Sequence, residues 1–224
     1  MIRPTLSILL CLALGACGGS APDTSRSTTD APRSTDAGPS YVHKLKFKAA
    51  DAAGSFALKV REDGAKLVDA EEHELARLRV EADGRVKLKD AADNPLGSVH
   101  GAAPQWHLKD AGGAVVLQLV RQDDGDLKVE DGAGALLFRV KVRDYGGEGQ
   151  GAEIETPDDR SLFKAKRKDG GLSIRDAADT TVLRSNDPGD AQAAALLVLP
   201  GLTLPQRAAL WYVVEPLCDA ARRK

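Results

Sequence analysis

Polar and apolar residues alternate along most of this chain. Leu45, Phe47 and Ala49 interleave with Lys44, Lys46 and Lys48. Phe56, Leu58 and Val60 interleave with Lys59 and Arg61. The same period of two runs through Leu78 and Val80, Trp106 and Leu108, Phe163 and Ala165, and Phe138, Val140 and Val142. Successive side chains of a strand point to opposite faces, so this pattern predicts strands with one buried and one wet face. Counting along the chain gives about 12 to 14 antiparallel strands.

Turn residues punctuate the strands at a near-constant interval. Asp-Gly stands at Asp63-Gly64, Asp83-Gly84, Asp124-Gly125 and Asp169-Gly170. A second aspartate series follows at Asp69, Asp90, Asp110, Asp131 and Asp176, with Thr156-Pro157-Asp158 filling the one wide gap. Asp-Gly between alternating runs signals tight hairpins, and a type I′ turn is expected there. Each repeat of about 20 residues is then two strands. So many strands must split into a sandwich or close into a barrel.

The pattern changes after Asp187-Pro188. Ala193 to Leu199 is continuously apolar, and Pro200-Gly201 breaks it. Thr203 is placed to cap a helix starting near Pro205, and Pro216 ends it. The stretch Ala208 to Val214 has no charged face, so it belongs in a core or a membrane. A membrane span would carry Arg207 and two prolines at depth, which is costly. A barrel of about a dozen strands is too wide for its own side chains to fill, and a buried helix would fill it. The fold class read from the sequence is therefore all-β with a C-terminal helix: an antiparallel barrel over 41–187, a helical segment over 188–217 packed inside it, and a tail over 218–224.

Short two-strand units followed by an apolar helix resemble the tubby-like barrel shared by tubby, phospholipid scramblase and LURP-one-related proteins. The phrase Val129-Glu130-Asp131-Gly132-Ala133-Gly134-Ala135-Leu136-Leu137-Phe138-Arg139-Val140 resembles the LURP-one-related strand-turn-strand pattern. Ala208 to Glu215 resembles its central helix. The likeness spans residues 41–217 and implies a closed barrel around that helix. Tubby domains bind phosphoinositides through a basic pocket, but no binding motif of that family aligns here, so no residue is carried over.

The N-terminal segment carries an address. Arg3 precedes the apolar run Leu6 to Leu14, which is far shorter than a membrane span. Leu14-Gly15-Ala16-Cys17 resembles the lipobox of bacterial lipoproteins. The resemblance implies removal of residues 1–16 as a signal peptide and acylation of Cys17. Family members often carry more than one chain there, palmitate included. Gly18 stands where an aspartate often retains such proteins at the inner membrane, so the resemblance favours the outer membrane. Residues 17–40 hold the lipidated cysteine and a run of Ser, Thr, Pro, Ala and Asp without a large apolar side chain. Such a run cannot offset its ordering entropy, and it reads as a disordered tether. With Cys11 removed and Cys17 acylated, Cys218 alone is left, so the fold relies on its core rather than on a disulfide.

The formal charge is −2, which argues against nucleic acid as a partner. Lysine and arginine crowd the predicted solvent faces of strands, and aspartate crowds the turns. A basic wall would suit an anionic lipid headgroup or an envelope polymer. Strand lysines also simply block stray edge pairing. Catalytic patterns do not assemble. His73-Glu74 opens like a zinc-protease helix, but Arg77 stands where the second histidine must be. Ser98 has no nucleophile elbow around it. Gly146 to Gly151 lacks the Lys-Ser/Thr ending of a phosphate loop and reads as a long hairpin loop. His100 and His107 fall on neighbouring strands without a cysteine partner. Asp158 and Asp159 are adjacent in a turn.

No catalytic, cofactor or metal residue is assigned, and the assigned modification site is Cys17. The expectation is a lipid-anchored envelope protein, held through acylated Cys17, that serves as a non-enzymatic binding or structural module. The alternative is a small hydrolase with a site built from loops.

Overall fold

The computed structural model describes residues 41–145 and 150–216. Cys17, the tether and Cys218 lie outside the described residues, as do Gly146 to Gly149. The strands are β1 (His43–Ala49), β2 (Phe56–Arg61), β3 (Gly64–Asp69), β4 (Glu74–Val80), β5 (Val86–Asp90), β6 (Pro95–Ala102) and β7 (Gln105–Lys109). They continue as β8 (Val115–Arg121), β9 (Leu127–Asp131), β10 (Leu136–Asp144), β11 (Gln150–Glu155), β12 (Ser161–Lys168), β13 (Gly171–Asp176) and β14 (Thr181–Ser185). Each pairs antiparallel with its neighbours in sequence, and β14 returns to β1 to close a barrel of 14 strands. Gln150 and Gly151 begin β11, so the glycine-rich stretch is part strand rather than wholly loop.

The alternating residues divide as their period requires. Leu45, Phe47, Leu58, Val60, Leu78, Leu88, Leu108, Leu119, Val129, Ile154 and Ile174 are buried inside. Val142 departs from this pattern and is 44% exposed. The pairing of β10 with β9 stops at Val140↔Leu127, so Val142 overhangs the barrel end with β11 as its one strand neighbour. Its N–H is taken by Asp126 Oδ1 at 2.8 Å rather than by a strand.

Six turns at one end of the barrel share one construction. Asp69, Asp90, Asp110, Asp131, Thr156 and Asp176 each accept the N–H of the residue three ahead on the main-chain carbonyl, and each donates its own N–H to the carbonyl four ahead. The residue three ahead has positive φ: Glu72, Asp93, Gly113, Gly134, Asp159 and Asp179. Each of the five aspartates adds a side-chain bond, Oδ1 accepting the N–H four residues on at 2.8–2.9 Å. Thr156 Oγ1 does the same work at 3.1 Å. Side-chain acceptance of this kind holds a turn that has no strand partner, which is why aspartate recurs at the interval.

The Asp-Gly series differs from its expected geometry. At Asp83-Gly84 and Asp124-Gly125 only the glycine has positive φ, and its N–H bonds to the carbonyl three back. These are type I turns with a glycine bulge. Type I′ needs positive φ at both central residues. Asp169-Gly170 meets that condition, with φ of 52° and 81°.

The interior holds a helical hairpin rather than one helix. Asp190 caps α1 (Ala191–Ala195), its Oδ1 accepting from Ala193 N–H at 2.8 Å. A 3₁₀ turn (Leu196–Val198) extends it. The chain turns at Pro200-Gly201 and returns as α2 (Leu204–Val214). Thr203 N–H donates to Gln206 Oε1 at 2.9 Å, fixing the first turn of α2. Helical backbone is disfavoured just before proline, so Glu215, which precedes Pro216, is extended and ends α2. α1 packs on β10 to β13 and α2 on β3 to β6, so the two helices serve opposite sides of the barrel. Buried Gln192 ties the plug to the wall by donating to the Gly125 and Val140 carbonyls at 2.8 and 3.2 Å. Buried Glu215 Oε2 accepts from Asp190 N–H at 3.2 Å and joins the two ends of the hairpin. Among the described residues, no helix is long and apolar enough to cross a membrane.

One surface cluster makes stability depend on pH. Glu72 pairs with Lys44 of β1 at 2.5 Å and with Lys59 of β2. Hydrogen bonds from these two lysines pull its carboxyl from 4.5 down to about 2. A depressed acid contributes fully above its unfolded pKa and loses that contribution as pH falls through the folded one. The urea midpoint of the wild type is therefore expected to drop between pH 4.5 and 2 more than that of Glu72→Gln. Parallel midpoint curves for the two proteins would show that the cluster contributes nothing.

Candidate functional site

The barrel closes through a short ladder. β1 and β14 match only at Lys48↔Arg184 and Ala49↔Leu183, whereas β1 and β2 match at five positions. Beyond this ladder Asp187 replaces a strand, its Oδ2 accepting from Lys46 N–H at 2.7 Å. A groove of about 820 Å³ lies on the outer wall at this seam.

Strand register decides what lines it. One row across the wall reads Lys48, Arg184, Ser173 and Lys166 on β1, β14, β13 and β12. The next reads Thr181, Arg175, Lys164 and Glu153. Five cations line the groove with one carboxylate, that of Asp179. Two like-charged pairs stand directly opposed, Lys48 with Arg184 and Lys164 with Arg175, an arrangement that disfavours the folded state. The second pair is relieved by Asp179 on Arg175 at 2.9 Å and by Glu153 at 3.9 Å from Lys164. Lys166 lies over the Tyr145 ring at 4.5 Å. Lys48 and Arg184 have no carboxylate within 4.0 Å among the described residues.

The rest of the wall is not uniformly basic. On β10 and β11, Lys141 and Arg143 hold buried Glu155 at 2.5 and 2.7 Å, and Arg143 also reaches Glu153 at 3.2 Å. The hydrogen bond from Lys141 to Glu155 raises the lysine pKa. On β3 to β5, Lys66 and Arg77 share Glu74, and Lys87 meets Glu81. Carboxylates thus offset these cations, whereas at the seam Lys48 and Arg184 face each other with none among the described residues.

The other polar residues weighed in the sequence are accounted for locally. His73 sits in a turn and Glu74 begins β4, so no helix forms there. Asp69, Glu71 and His73 approach one another, but Asp69 Oδ1 already accepts both the Glu71 and His73 N–H groups. Asp158 binds Thr156 Oγ1 and Arg160, and Asp159 binds Arg139. His100 and His107 face each other across β6 and β7. Ser98 Oγ lies 2.8 Å from His100 Nε2, a contact between alternate residues that is invisible to motif reading. Burial first, then the charges of Lys109 and Arg85, lower the His100 pKa.

No protein-family model matches the chain. Comparison with characterised proteins finds no match either. Among solved structures, an Arabidopsis thaliana protein is similar at 15% identity and a TM-score of 0.39, covering 70% of this chain and 88% of its own. A Marasmius oreades lectin is similar at 15% identity and a TM-score of 0.19, covering 65% of this chain and 94% of its own. Both likenesses are too distant to assign a family.

Proposed function

We propose that this chain is a bacterial envelope lipoprotein, anchored through acylated Cys17, whose barrel is a non-enzymatic module that binds anionic ligands. The seam groove carries the reading. Two cations held face to face without a carboxylate are stabilised by any anion that bridges them, and Ser173 adds a hydroxyl between Arg184 and Lys166. A phosphate-bearing headgroup or envelope polymer supplies such anions. The resemblances to the lipobox and to the tubby-like barrel support the anchor and the basic pocket respectively, by analogy.

The test uses protein made with Cys17→Ser, so that acyl groups do not drive binding. It should sediment with phosphatidylglycerol vesicles or retain soluble polyphosphate at low salt, and ignore phosphatidylcholine vesicles. Lys48→Glu with Arg184→Glu should weaken this at least about tenfold, and salt should weaken it further because exposed charges are screened. Labelled palmitate should enter the wild type and not Cys17→Ser. Absence of binding to either anion at low salt ends the binding proposal, and equal labelling of both proteins ends the anchor.

A further inference from the structure

A second cavity lies at the barrel mouth, where the helical hairpin turns. It measures about 420 Å³ and is bounded by Phe56, Phe163, Leu183, Leu197, Leu204 and Arg207. Its wall comes from the strands at the seam and its floor from the plug. The volume falls within the ~300–1,000 Å³ usual for small-molecule sites, which are mostly apolar with a few fixed polar groups. Here the polar group is one guanidinium. Arg207 is half-buried in the first turn of α2, and its Nε is buried without a hydrogen-bond acceptor among the described residues. No carboxylate of the described residues pairs with it, and burial pulls its pKa down. A partly desolvated cation without a counter-charge is costly to the fold, and an incoming anion recovers that cost.

We propose that this cavity binds an alkyl-chain carboxylate, with the chain against Phe163, Val182, Val198 and Leu204, the half-buried apolar residues of its lining, and the carboxylate on Arg207. Charge and shape act together here. The apolar lining accepts a hydrocarbon tail, which gains from every methylene removed from water. The guanidinium donates parallel hydrogen bonds to a carboxylate in fork geometry, which a neutral alcohol cannot reproduce. The site is separate from the seam groove, so it stands or falls independently of the polyanion reading.

The full chain made by cell-free synthesis without membranes carries no acyl group and suits the test. Isothermal titration calorimetry would compare laurate, below its micellar concentration, with dodecanol. Wild type is expected to bind laurate at least about tenfold more tightly than dodecanol, since losing one partner of a desolvated charge pair costs that much or more. Arg207→Gln should lose this preference while keeping its affinity for dodecanol, and Arg207→Lys should keep part of it. Trp211, one turn along α2, gives a second readout through its fluorescence. The proposal is overturned if laurate does not bind, if dodecanol binds equally well, or if Arg207→Gln binds laurate as the wild type does.

Discussion

Trp211→Ala is expected to cost about 3–5 kcal/mol in equilibrium urea unfolding, the upper part of the range for core truncation. Trp211 is 1% exposed and is among the largest fully buried side chains. It sits on α2, which fills the half of the barrel lined by β3 to β6. The cost of a large-to-small change depends on how far the surroundings collapse into the void. Here they collapse little, because each strand is held on both sides by hydrogen-bonded neighbours around a closed ring. A loss of that size is a large share of the ~5–15 kcal/mol of a typical domain. Trp211→Phe separates shape from chemistry. The indole N–H has no acceptor among the described residues, so phenylalanine gives up volume but no hydrogen bond. It should cost less than about 1.5 kcal/mol, as conservative core exchanges do. If Trp211→Ala costs under about 1 kcal/mol, the plug is not what fills the barrel.

The period of two was enough to read the wall, because a half-buried strand must alternate and this chain does so from Leu45 to Ala165. It failed at Val142, where a strand outruns its partner and the inside of the barrel ends. The interval of aspartates was also legible, including Thr156 in place of the missing one. What it conceals is the turn type. Asp83 and Asp124 keep negative φ because a single glycine bulge already reverses the chain, and only Asp169-Gly170 needs both residues left-handed. The plug was legible as apolar sequence but not as two pieces. Five residues of α1 and a 3₁₀ turn are too short to show a helical period, and Pro200-Gly201 looks like a break rather than the tip of a hairpin.

The candidate sites were legible only in composition. Lysine-rich strand faces were visible, but the pairing of Lys48 with Arg184 depends on the ring closing in one register between the first and last strands. Likewise the ion pairs that neutralise Lys141 and Arg143 depend on which carboxylates β11 presents beside β10. Arg207 counts in the sequence only as a charge that argues against a membrane span. Its isolation becomes visible once the fold carries α2 into the barrel mouth, where none of the described carboxylates forms an ion pair with it. Long-range register, not local pattern, makes both features.

The second large effect is expected at Gly64. It opens β3 at φ 150°, paired with Arg61 on one side and Arg79 on the other. A Cβ there would lie 2.0 Å from the Leu78 carbonyl oxygen and 2.8 Å from its carbon. These are backbone atoms of β4 and cannot rotate aside. Gly64→Ala therefore meets two costs: about 1–3 kcal/mol for a side chain in a glycine-only conformation, and about 1–3 kcal/mol for forcing packed elements apart. Gly84→Ala is the matched control. Gly84 also has positive φ, 82°, but nothing lies within 4 Å of its added Cβ. It meets the conformational cost alone, about 1–2 kcal/mol. Urea unfolding of the two variants should separate them by at least about 1 kcal/mol, with Gly64→Ala the weaker protein. Hydrogen exchange should show the β3–β4 ladder opening more readily in Gly64→Ala, because separating those strands exposes the amides between them. Equal losses in the two variants would mean that β3 and β4 part without cost, and that the close approach at Gly64 does not hold this part of the wall.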